Sequence, residues 1–384
     1  MASRQWPVTL ASSIIAADGD LHRMKDGLPR PAVVPCSSAW RRDQGAARGW
    51  LSRTNWGLIF VVVCLRTANG ASLVEDFSVE PGSHGWRSSG MTSLFRWNRT
   101  NQNLEVSWDS SQTNSFFFRR LGTILTKSDD FDFGFDLRLS DIHYGTSAGK
   151  TDTFEIAIGL FNSNNITNAN YFRGSGQNST YGVRNLVEFN YFPDAGFGAT
   201  LSATVVSTNN RIKPAHNFPL EMTTGDQFRI VLSYTASNQT LRTTATKNGN
   251  PFGLSPGNSL TDLVLTSHPD FRVDALSVSS YSDAVQTGPL NFWGSVLAHG
   301  VIDNIMATFP APPMGLLSLS RQSGPRAVEL FARSNWVYTL EGSSNLSGWK
   351  SASITRPGGD SLLTLQDTNV GAGTIFYRVR AERP

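Results

Sequence analysis

Cysteine is almost missing from this chain. There are two in 384 residues, Cys36 and Cys64, both near the N-terminus. Whatever folds after them is held by burial, not cross-links, and a chain this long has enough interior for that. Charge is also scarce. Asp, Glu, Lys and Arg make up 16%, against roughly 25% in an average soluble domain. The net charge of +3 is a local effect, because residues 1–70 hold nine of the basic residues and only four aspartates. The remainder is near neutral and offers no electrostatic footprint for nucleic acid. No stretch keeps a helical hydrophobic period, and Gly and Pro interrupt the chain too often for long helices. His and Cys are too scattered for a zinc site, and no Gly-x-Ser-x-Gly elbow or phosphate loop is present.

What is present is polar, turn-rich sequence around short apolar patterns. Arg48 and Arg53 precede the run from Trp56 to Leu65, and Ala68-Asn69-Gly70 follows. About ten apolar residues suit the core of an export signal and are too few to span a bilayer as a helix. The pattern predicts a signal peptide over 51–70, cut after Gly70, and a secreted, extracellular or cell-envelope protein with no membrane span once mature. Residues 1–50 contain Pro and mixed charge, unlike the start of a signal. They are expected to be disordered, or to lie upstream of a true start nearer Leu51.

Strand signals fill 71–310. In Phe131 to Leu139 every odd position is apolar and every even one polar or Gly. Period two puts one face on a core and the other toward water. Phe154 to Leu160 repeats this with even positions inward, as does 227–234. Further strands are expected at 103–108, 116–121, 186–192, 199–206, 240–247, 271–281 and 300–309. So many short strands predict an all-β fold: an antiparallel jelly-roll β-sandwich. Phe309-Pro310-Ala311-Pro312-Pro313 then stiffens the chain into a linker reaching 315. A small C-terminal β-module over 316–384 is expected to close on Trp336, Tyr338, Trp349 and Tyr377.

Three runs carry a resemblance: Asp130-Phe131-Asp132-Phe133, Val187-Glu188-Phe189-Asn190-Tyr191-Phe192, and the closing Val301-Ile302-Asp303-Asn304-Ile305. Their order resembles the concanavalin A-like lectin/glucanase sandwich, a laminin-G-like jelly roll, in secreted proteins of Verrucomicrobia and related bacteria. The run from Tyr338-Thr339-Leu340-Glu341 to Trp349, with Phe376-Tyr377-Arg378-Val379, is similar to a short β-module that ends many exported proteins of these bacteria. The resemblance implies a fold, and only loosely a function, since the fold serves lectins, hydrolases and scaffolds alike.

The residues suit three chemistries. A sugar offers an apolar C–H face and a hydroxyl rim, so binding calls for aromatic, amide and carboxylate groups. The loop from Asn162 to Asn165, with Tyr171, Arg173, Tyr181, Arg184, Asn190, Tyr191 and Trp293, supplies these types and implies a polysaccharide or cell-surface glycan as partner. The same residues also suit turns and half-buried packing. Glycoside hydrolysis needs two carboxylates about 5–10 Å apart. Glu155 and Glu188 lie mid-strand off the core phase and form the candidate pair on a concave sheet. No cofactor is expected beyond a structural Ca²⁺, for which Asp129, Asp130, Asp141 and Asp303-Asn304 offer oxygens without a spaced loop. A carbohydrate- or surface-binding module is the expected function. A glycosidase and a purely structural or adhesive module are the alternatives.

Overall fold

The computed structural model describes Ile15–Ala17, residues 71–144, 156–168, 171, 173, 183–194, 198–254, 260–281, 295–311, 318–320, 326–367 and 375–384. Two large sheets dominate. The first has seven strands in the order Ile212–Asn217, Thr200–Val206, Leu186–Phe192, Ile156–Phe161, Val273–Ser280, Ser115–Leu125 and Arg87–Ser89. The second has nine. Its path runs Asn250–Pro251, Thr240–Lys247, Phe228–Thr235, Phe131–Tyr144, Val296–Phe309, Asn103–Asp109 and Phe95–Asn98. Ala71–Glu75 flanks Val296–Phe309, and Leu263–Val264 flanks Thr240–Lys247. Neighbours in both sheets pair antiparallel. The fold is the all-β jelly-roll sandwich that the alternation predicted.

The core sits where the inward phases of the two sheets meet. Phe131, Phe133, Phe135, Leu137 and Leu139 face it from one sheet, and Ile156, Ile158, Leu160, Val187, Phe189 and Tyr191 from the other. Phe135 and Phe189 bridge the layers edge to face, with centroids 5.7 Å apart. Each such side chain contributes about 1.5–3 kcal/mol on burial. The expected strands at 186–192 and 240–247 match their observed bounds. Short edge strands such as Arg87–Ser89 and Phe95–Asn98 were not foreseen, since three or four residues are too few to show a period.

The outward phases differ between the sheets. Asp132 and Arg138 of the nine-stranded sheet reach solvent. The central strands of the seven-stranded sheet are buried on both faces. Period two correctly gave the core phase of those strands, but the opposite phase is covered rather than wet.

The C-terminal strands form two small sheets around a separate core that includes Val328, Leu330, Trp336, Tyr338, Leu340 and Tyr377. Trp349 is not among them. It lies half-buried with the Arg378 guanidinium over its ring at 4.5 Å, a cation–π contact at the surface. Ile15–Ala17 pairs with 375–377 at the edge of this region. The small core touches the sandwich through Ile124. No helix among the described residues is long and apolar enough to cross a membrane.

Candidate functional site

Four polar side chains meet on the seven-stranded sheet, on the face turned away from the main core. Alternation along Leu186–Phe192 sends Val187, Phe189 and Tyr191 inward and leaves Glu188 and Asn190 on that face. Glu188 accepts hydrogen bonds from Arg173 Nε at 2.9 Å, Asn190 Nδ2 at 2.8 Å and the Tyr281 hydroxyl at 2.6 Å. Arg173 also donates to Asn190 Oδ1 at 3.0 Å. All four residues are at most 2% exposed. Burial, and then the Glu188 charge, push the Tyr281 phenol far above its ordinary range. Burial, and then the Arg173 charge, push His216 at the rim below its ordinary value. The close pairing needs Gly159, which lies opposite Glu188. A Cβ there would stand 2.4 Å from the Val187 carbonyl oxygen.

The network brings together Tyr171, Arg173, Asn190 and Glu188, named above from sequence. Tyr171 reaches it through the Tyr281 hydroxyl at 3.4 Å. What the network does is structural. A buried ion pair with satisfied hydrogen bonds holds Arg173 against the sheet. Its carboxylate is not presented to solvent, whereas an acid or base must touch its substrate. Glu155, Tyr181 and Trp293 lie outside the described residues.

Other sequence-based candidates take different roles. Tyr191 belongs to the main core, and its hydroxyl donates to the Met222 carbonyl. Arg184 is exposed, and its carbonyl accepts from Asn165 Nδ2 at 2.9 Å. Asn162 caps the short 3₁₀ turn Ser163–Thr167 by accepting from Asn164 N. The loop amides thus satisfy backbone groups, the turn-forming role that their residue types favour.

The calcium candidates do not converge. Asp129 is buried and held by Arg333 at 3.2 Å and Arg383 at 2.9 Å, while Thr126 N donates to it at 2.9 Å. A carboxylate between two guanidinium groups is an anchor for cations already in the chain. Asp130 accepts from Ala236 N. Asp303 stands in register with Asp136, well along the strand. Burial, with Asp136 nearby, pushes its carboxyl above the ordinary value. Among the described residues no group of three or more His, Cys, Asp or Glu is arranged to hold a metal ion.

A second polar surface was not singled out from sequence. It is a groove of about 420 Å³ on the outer face of the nine-stranded sheet. Alternation along Asn103–Asp109 buries Leu104, Val106 and Trp108 and turns Asn103, Glu105 and Ser107 outward. Arg138 points outward between core residues Leu137 and Leu139. A bulge between His299 and Gly300 sets His299 opposite Asp141, with Nδ1 to Oδ1 at 2.7 Å. Gly300 permits this approach, because a Cβ there would lie 2.7 Å from the Arg138 carbonyl oxygen. Glu105 is held by Arg96 and Asn98. Asn103 Oδ1 is buried without a hydrogen-bond partner, which costs about 1–3 kcal/mol. The signal that could have found this groove was the outward phase of Phe131 to Leu139.

No protein-family model matches the chain, and no curated protein matches it. Several solved structures are similar in outline. A peanut lectin bound to a nine-residue peptide is 14% identical, with 64% of this chain and 100% of that chain covered and a TM-score of 0.39. Lectin II from Ulex europaeus is 12% identical, with 63% and 100% covered and a TM-score of 0.39. A galectin-like protein of unknown function from Bacillus subtilis is 9% identical, with 63% and 98% covered and a TM-score of 0.35. At this level of likeness, function has to be reasoned from the chain's own geometry.

Proposed function

We propose that this chain is an exported carbohydrate-binding module that acts by binding and does not cleave its ligand. The observation that supports this is the open groove on the nine-stranded sheet. It offers an amide, hydroxyls, a guanidinium and an imidazole on a rigid strand surface, the mix that hydrogen-bonds a hydroxyl rim. Asn103 and Asn101 both line it and bring side-chain amides to the groove. Glu188, the best-placed carboxylate for hydrolysis, is tied up by Arg173, Asn190 and Tyr281. This favours binding over glycosidase chemistry.

The organisation we propose is a signal peptide at 51–70, the sandwich at 71–310, a Pro-rich linker at 311–315 and the small module at 316–384. This is the arrangement of the secreted Verrucomicrobial proteins that the sequence resembles, and it would place the protein outside the cell or in its envelope. Sequencing the N-terminus of the exported protein checks export: a chain starting at Ala71 supports it, and one starting at Met1 overturns it. A polysaccharide array with the whole protein checks binding. Asn103→Ala and Ser107→Ala should each weaken capture of the polysaccharide bound best. No capture across neutral and acidic polysaccharides would remove the reading.

A further inference from the structure

We infer that the groove on the nine-stranded sheet takes an anionic saccharide, a sugar chain bearing carboxylate or sulfate, and that Arg138 is the group that reads the charge. The inference rests on the glycan-binding reading and adds the class of ligand.

It starts from the pairing of charges on this face. Asp136 is held by Arg229 at 3.2 Å and by Asn304. Glu105 is held by Arg96 and Asn98. Asp141 is held by His299 and lies 3.6 Å from His143 Nε2. Asp132 accepts from Thr308. Arg138 stands apart from these pairs. It is exposed, it lines the groove, and its side chain makes no ion pair or hydrogen bond among the described residues. The carboxylate in the groove, Glu105, is already neutralised by Arg96, so an incoming anion meets one free cation instead of a balanced pair. A guanidinium presents parallel N–H donors that match a carboxylate or sulfate two to two.

The rest of the lining fixes what carries the anion. No Trp, Tyr or Phe lines the groove, so a neutral sugar finds no ring to stack on. Recognition must come from polar contacts. Asn103, Ser107 and Ser140 stand along the same groove as Arg138 and can pair with ring hydroxyls. The volume of about 420 Å³ is in the range of small-ligand clefts. Hydroxyl-pairing groups around one unpaired guanidinium describe an acidic sugar better than a free inorganic anion or a neutral glycan.

Titration calorimetry on the full chain tests this with three probes of matched length: an oligouronate from alginate, a sulfated dextran oligosaccharide and unmodified dextran. One or both acidic probes should bind at least tenfold more tightly than dextran, and the better of the two identifies the anion. Arg138→Gln should bring that probe down to the dextran level, and Arg138→Lys should recover only part of the loss. Arg242→Gln, at an exposed arginine paired with Asp262, should change nothing. Unchanged melting of Arg138→Gln confirms that the fold is intact. If dextran binds as tightly as the acidic probes, the anionic class fails while glycan binding stands. An acidic preference that survives Arg138→Gln overturns the role of Arg138. No binding of any probe removes both readings.

Discussion

The two outer faces of the sandwich use similar residues for opposite ends. On the seven-stranded sheet, Arg173 and Glu188 are buried together and satisfy one another. On the nine-stranded sheet, Arg138 stands exposed in an open groove. Glu188 and Arg138 both sit on strand phases opposite the core. The polar phase of a strand therefore does not by itself mark a site. What separates scaffold from site is whether the polar groups already have partners, which depends on what packs over the sheet.

The largest expected effect sharpens this contrast. Glu188→Ala would remove the buried carboxylate that accepts from Arg173, Asn190 and Tyr281, at a cost of about 3–5 kcal/mol. Arg138→Gln should stay within about 0.5 kcal/mol of wild type. Urea unfolding monitored by tryptophan fluorescence measures both, and equal losses would break the comparison. Asp129→Ala should cost about 3 kcal/mol, because Arg333 and Arg383 lose their shared partner. Arg383 also donates to the Ile124 carbonyl and to Thr126. The loss should therefore show as C-terminal strands melting ahead of the sandwich, resolved by hydrogen exchange. Protection that stays uniform would argue against Asp129 as the tie.

Gly159→Ala should cost about 1–3 kcal/mol, since the new methyl meets backbone that has little room to move. Gly82→Ala, with its nearest neighbour 3.8 Å away on a flexible side chain, should be close to neutral. A matching loss at both would mean that the strand at Glu188 can give way.

The last effect is a pH dependence. Burial, reinforced by Arg211, Lys213 and Lys127, pushes His268 down to about 4. Unfolded, it takes up a proton near pH 6.5. Between these values the unfolded chain binds a proton that the folded chain does not. The stability contribution is therefore complete above about pH 6.5 and is lost as pH falls toward 4. Asp274, held above its ordinary value by burial, works in the other direction but is present in wild type and in a His268 variant alike. His268→Gln should flatten stability between pH 6.5 and 4, read by urea midpoints at each pH. A slope that persists would place the titration elsewhere.

Much of the fold was legible because alternation is a local property. Phe131 to Leu139 announces its core face within nine residues, and its partner strands do likewise. The site was less legible. Asn190 and Tyr191 are adjacent and equally polar-looking, yet one joins the ion-pair network and the other the core. Trp349 reads like Trp336 and packs differently. In each case the missing information was which distant segment lies above the residue.

By itself the sequence determined an all-β chain, the inward phase of its strands and the absence of cross-links in the body, because these follow from spacing and composition. Only the tertiary structure decided which polar phase was covered and which stayed open. Arg173 and Tyr281 reach Glu188 across 15 and 93 residues of chain, and the bulge at Gly300 sets His299 against Asp141 across 158. Pairings between distant strands are fixed by sheet register and packing, which no local pattern encodes.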